Sequence, residues 1–68
     1  MRQNLEQYQL LTEKETAHLL SISTAKLQQD RFHGVGLKFV RLNRAIRYRM
    51  QDIISFIEEN TKQSTSER

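Results

Sequence analysis

The chain has 68 residues, a net charge of +3 and 25 apolar residues, 22 of them between Leu10 and Ile57. One small core can be built from these, which excludes a dinucleotide fold, a barrel or a deep catalytic cleft. The absence of cysteine excludes disulfides and thiolate metal sites.

Residues 1–9 hold Leu5 and Tyr8 as their apolar groups beyond Met1 and read as a flexible N-terminal arm. Thr12-x-x-Glu15 is a capping box: the Thr hydroxyl suits the amide three residues on, and Glu15 suits the amide of Thr12. Glu13 adds negative charge at the positive end of the helix. A helix is predicted over about 13–20, with Ala17 and Leu20 at helical spacing and Leu10 and Leu11 stapling its start. Ser21-Ile22-Ser23 interrupts it, with Ile22 plugging the turn. Ser23 is a good N-cap for a second helix from Thr24 to about Arg31, with Leu27 facing inward. Gly34 suits the left-handed position just past that helix. Two short helices across a three-residue turn are the layout of a helix-turn-helix.

The period then changes. Leu37–Leu42 and Ala45–Arg49 are strand-like runs, and Asn43-Arg44 between them suits a tight hairpin. With Val40, Leu42, Ile46 and Tyr48 facing in, Arg41, Arg47 and Arg49 face out; a register slip of one residue would swap the faces. The last element is a helix from about Gln51 to Glu59, whose Ile53, Ile54, Phe56 and Ile57 form a wide apolar face that closes the core. Residues 60–68 contain no apolar residue and read as a disordered tail. The folded domain is therefore expected over 10–59.

Charge follows these elements. Residues 1–25 carry −1 and residues 50–68 carry −2. Residues 26–49 hold Lys26, Arg31, Lys38, Arg41, Arg44, Arg47 and Arg49 against Asp30 alone, a local +6. Such a concentration marks a surface suited to phosphate.

The ordered set of pieces resembles the excisionase-type DNA-binding domains, close to the N-terminal domain of the MerR-like regulators and to small phage regulators of the AlpA kind. The resemblance is carried by Leu11-Thr12-Glu13-Lys14-Glu15-Thr16-Ala17-His18-Leu19-Leu20, by Ser21-Ile22-Ser23, and by Ile46-Arg47-Tyr48-Arg49-Met50-Gln51-Asp52-Ile53. It spans about residues 10–59. It implies a small α+β, mostly helical winged helix-turn-helix: two helices, a β-hairpin wing and a closing helix. The family's turn usually carries glycine where this chain has Ser21, so Ser21 is expected to adopt the turn's conformation at some strain. The family's second helix often has an apolar residue where Asp30 stands, and Phe32 is expected to fill that space.

By the same resemblance the second helix enters the major groove, and the wing lies on the backbone or in the adjacent minor groove. Gln28 and Gln29 each suit paired hydrogen bonds to an adenine edge. Thr24 suits a thymine methyl or a phosphate, Lys26 the backbone or a guanine, and Ser23 with the free helix amides a phosphate. Arg44 at the hairpin tip is placed for the minor groove, while Arg41, Arg47 and Arg49 position the protein on phosphates. Tyr48 reads as core, with its hydroxyl at the edge.

No enzyme is expected. His18 and His33 lack partners at metal-ligand spacing, and Gly34-Val35-Gly36 follows a helix rather than a strand. No metal or cofactor is implied. No apolar run approaches a membrane span, and the start of the chain is too polar for a signal peptide. The expected location is therefore cytoplasmic, on the nucleoid. The expected partner is double-stranded DNA, with a recombinase or further copies of the chain bound beside it. The resemblance leaves two roles open, an excisionase and a small transcriptional regulator. The rival is a protein-interaction module offering Ile54 or Phe56 to a partner.

Overall fold

The structure, a computed structural model, describes residues 9–62; of the arm expected over 1–9 and the tail expected over 60–68, all but Gln9 and residues 60–62 lie outside the described residues. The chain runs β1 (Leu10–Thr12), α1 (Glu13–Leu20), α2 (Thr24–Phe32), β2 (Val40–Leu42), β3 (Ala45–Arg49) and α3 (Met50–Glu59). The three strands form an antiparallel sheet in the order β1-β3-β2, so the fold is a small α+β domain. No helix among the described residues is long and apolar enough to cross a membrane.

The helix ends follow their local chemistry. The capping box at Thr12 forms in both directions, with Glu15 N to Thr12 Oγ1 at 3.0 Å and Thr12 N to Glu15 Oε1 at 2.9 Å. Ser21 ends α1 in the left-handed region at φ 58°, donating to His18 O while Ile22 N donates to Ala17 O at 3.0 Å. Gly34 does the same after α2 at φ 70°, with Gly34 N on Arg31 O and Val35 N on Asp30 O. These paired bonds satisfy carbonyls that a helix end leaves open.

Leu11, Ala17, Leu27, Leu37, Tyr48 and Ile53 form the core, and Leu20, Ile46, Met50 and Phe56 pack around it. Thr16 is also fully buried, and its hydroxyl donates to Thr12 O at 2.8 Å.

Four expectations about packing change. Leu10 and Leu11 are not a staple but a strand: Leu11 pairs with Tyr48 and is buried, while Leu10 pairs with Arg49 on the other face. Ile22 does not plug the turn and remains 36% exposed. Phe32 does not fill the space near Asp30; it points outward at 86% exposure. The α3 face is buried at Ile53 and partly covered at Phe56, with Ile54 and Ile57 exposed.

The hairpin also differs. The first strand is confined to Val40–Leu42 because Leu37 turns into the core and Gly36 packs against Asp30, which takes the preceding residues off the ladder. Asn43 turns the hairpin with φ 57°, as its chemistry predicts. A two-residue turn pairs Leu42 with Ala45, Arg41 with Ile46 and Val40 with Arg47. Directly paired residues share a face. Val40 and Leu42 therefore lie with Arg47 and Arg49, and Arg41 lies with Ile46 and Tyr48 on the core side. The expected grouping of Val40, Leu42, Ile46 and Tyr48 is geometrically incompatible with the Asn43-Arg44 turn, and Leu42 is 48% exposed.

Candidate nucleic-acid interface

Helix α2 presents its outer face through a defined start. Ser23 caps it, its hydroxyl accepting from Lys26 N at 3.0 Å, so that oxygen is already engaged. Thr24 and Ala25 follow exposed in the first turn. Lys26 bonds Asp30 one turn on, Nζ to Oδ1 at 3.2 Å, an exposed pair worth a few tenths of a kcal/mol, about 0.3–0.5. Gln28 and Gln29 are both exposed, and Gln28 donates its amide N–H to Glu13 Oε1 at 3.1 Å and so leans toward α1.

Arg31 joins three elements. Its Nη1 donates to Glu13 Oε2 on α1 at 2.6 Å and to the Tyr48 hydroxyl on β3 at 3.1 Å. The Tyr48 hydroxyl thus points inward rather than to the molecular edge. Desolvation alone would raise the Glu13 pKa, but the hydrogen bonds from Arg31 and Gln28 and the Arg31 charge together hold it below its ordinary value. The Arg31 pKa is raised, chiefly by its bond to Glu13, against opposing desolvation. The result is a charged, hydrogen-bonded tie that sets α2 against α1 and the sheet.

The hairpin arginines divide by face and by partner. Arg41, on the core side, lies over the Phe39 ring at 5.9 Å, and Arg31 lies over the same ring at 5.8 Å. Arg44 is exposed at the hairpin tip. Arg47 is on the opposite face and donates to Ile46 O at 2.8 Å. Arg49 shares that face and grips Asp52 with two bonds of 2.7 and 3.0 Å, which raise its pKa. Asp52 lies in the first turn of α3, where its charge also suits the helix dipole. Among the described residues, Lys38, Arg41, Arg44 and Arg47 have no carboxylate partner, whereas Lys26, Arg31 and Arg49 do.

An open groove of about 490 Å³ runs between α2 and the hairpin, lined by Gln28, Gln29, Arg31, Phe32, Phe39 and Arg41. It brings together three of the sequence-predicted residues, Gln28, Gln29 and Arg41. Arg47 and Arg49 do not join it, because they lie on the far face of the sheet. Arg31, Phe32 and Phe39 were not among the predicted site residues. The alternation Phe39-x-Arg41 is the one local sequence signal for them, an aromatic ring interleaved with cations.

No model of a known protein family matches the chain, and no curated protein matches it.

Proposed function

We propose that the chain is a winged helix-turn-helix that binds duplex DNA sequence-specifically. Helix α2 takes the major groove, and the β2–β3 hairpin is the wing on the backbone or in the adjacent minor groove. The observation that carries this is the groove between α2 and the hairpin, which is lined by both the Gln29 amide and the Arg41 guanidinium. Duplex DNA offers base edges in its grooves and phosphates along their rims. The sequence +6 between residues 26 and 49 supports the same ligand. The Thr24 and Ala25 amides at the start of α2 supply a phosphate contact, with the Thr24 hydroxyl and the hydrogen of the Ser23 hydroxyl beside it, whereas Lys26 is held by Asp30.

Two roles fit such binding: an excisionase, which bends an attachment site for a recombinase, or a small transcriptional regulator of a mobile element. One copy makes a small interface, so useful specificity calls for neighbouring copies or a recombinase bound beside it. Such binding would place the chain on the nucleoid.

Selection of bound sites from a pool of random duplexes tests the proposal. An enriched motif is expected. Tandem motif copies with a bend detected by phasing on gels favour the excisionase, and a single unbent site in a promoter favours the regulator. No enrichment, with no binding at low salt, overturns DNA binding. One observation favours the rival: a second, apolar groove of about 470 Å³, lined by Leu11, Lys14, Glu15, His18, Leu19 and Met50, suits a protein partner. Binding that ignores salt and survives loss of Arg41 and Arg44 would support that rival.

A further inference from the structure

We infer that Phe32 reads the methyl group of a thymine next to an adenine held by Gln29, so that the target is built around A·T pairs; this rests on the duplex-DNA binding proposed above. Phe32 is the most exposed large apolar side chain among the described residues, at 86%. A single exposed apolar residue is ordinary in itself. Its surroundings distinguish this one. Phe32 lies three residues after Gln29 and four after Gln28, so the three share one face of α2. They line the same groove as Phe39 and Arg41. Both glutamines are exposed, but the Gln28 amide is tied to Glu13, so Gln29 is the amide left to a ligand.

The occupant of this face must offer three things together. It needs a paired donor and acceptor for the Gln29 amide, an apolar surface for the Phe32 ring and negative charge for Arg41. A run of A·T pairs in the major groove does so. Adenine presents N7 and the N6 amine as a matched pair for a glutamine, thymine projects its C5-methyl into the groove, and the phosphates line the rim. A G·C pair offers no methyl.

The test uses the full chain and its selected duplex. Each thymine is replaced in turn by deoxyuridine, which removes only the methyl, and affinity is measured for the natural chain, Phe32→Ala and Phe32→Leu. At one position the natural chain should lose about 3- to 10-fold in affinity. Phe32→Ala should bind more weakly from the start and be indifferent to deoxyuridine there, and Phe32→Leu should keep part of the methyl preference. The salt dependence should be the same for all three. Melting temperatures should match closely, since the ring is exposed. Deoxyuridine without effect at every position, or a full methyl preference retained by Phe32→Ala, overturns the inference. Specific, salt-dependent binding without methyl discrimination overturns it alone, whereas a chain that binds no duplex overturns DNA binding as well.

Discussion

Ser21 holds a backbone conformation that disfavours L-residues by about 1–2 kcal/mol. Ser21→Gly should relieve that strain. The glycine's extra freedom in the unfolded chain offsets about 0.5–1 kcal/mol of the gain. A net stabilisation of up to about 1 kcal/mol is expected, and urea denaturation measures it. Gly36 is the reverse case. It sits at φ 79°, and a Cβ there would come within 2.9 Å of Asp30 Oδ2. Gly36→Ala should cost about 1–3 kcal/mol in the same measurement, from strain and the displaced Asp30. Arg31 is the residue whose role was least legible in the sequence. It counts there as one more cation in a basic run, yet its guanidinium is engaged by Glu13 and Tyr48. Those partners lie 18 and 17 residues away, beyond what spacing can reveal.

At the scale of elements, local chemistry was legible and long-range pairing was not. The capping box at Thr12, the Ser23 cap, the glycine after α2 and the Asn43 turn each depend on a few neighbouring residues, and each forms as expected. Strand β1 went unrecognised because three residues have no period of their own; Leu11 becomes strand only by pairing with Tyr48. The hairpin faces were misassigned although the information was present: a two-residue turn places even positions of β2 opposite odd positions of β3. The candidate site was legible in α2 and less so in the hairpin, where Arg47 and Arg49 fell on the other face. The tie between α1 and α2 yields a pH prediction. Folding holds the Glu13 pKa below its ordinary 4.5, so the unfolded chain takes up that proton more readily. The Glu13 contribution is therefore full above pH 4.5 and is lost as pH falls through the lower folded value. Thermal melts of Glu13→Gln should show a shallower loss of stability below pH 4.5 than the natural chain. At neutral pH, Arg31→Ala should destabilise by about 1–3 kcal/mol, because a charged hydrogen bond is lost and Glu13 is left without its partner.

For the whole molecule, net charge conceals a division of labour. The seven basic residues of the middle segment do not act alike. Lys26, Arg31 and Arg49 are engaged by carboxylates within the fold. Lys38, Arg41, Arg44 and Arg47 have no such partner among the described residues, and they are the cations available to phosphate. The composition alone suggests a larger electrostatic footprint than the ion pairs leave. The most direct measurement is a salt titration of binding to random-sequence duplex, with the natural chain and the double variant Arg41→Ala, Arg44→Ala side by side. With Arg47 on the far face of the sheet, phosphate contacts by Lys38, Arg41 and Arg44 predict a slope of log affinity on log salt of about −3 for the natural chain, and removing two should reduce its steepness by about 2. Binding indifferent to salt, or a slope unchanged by the double substitution, would contradict a duplex held between α2 and the hairpin.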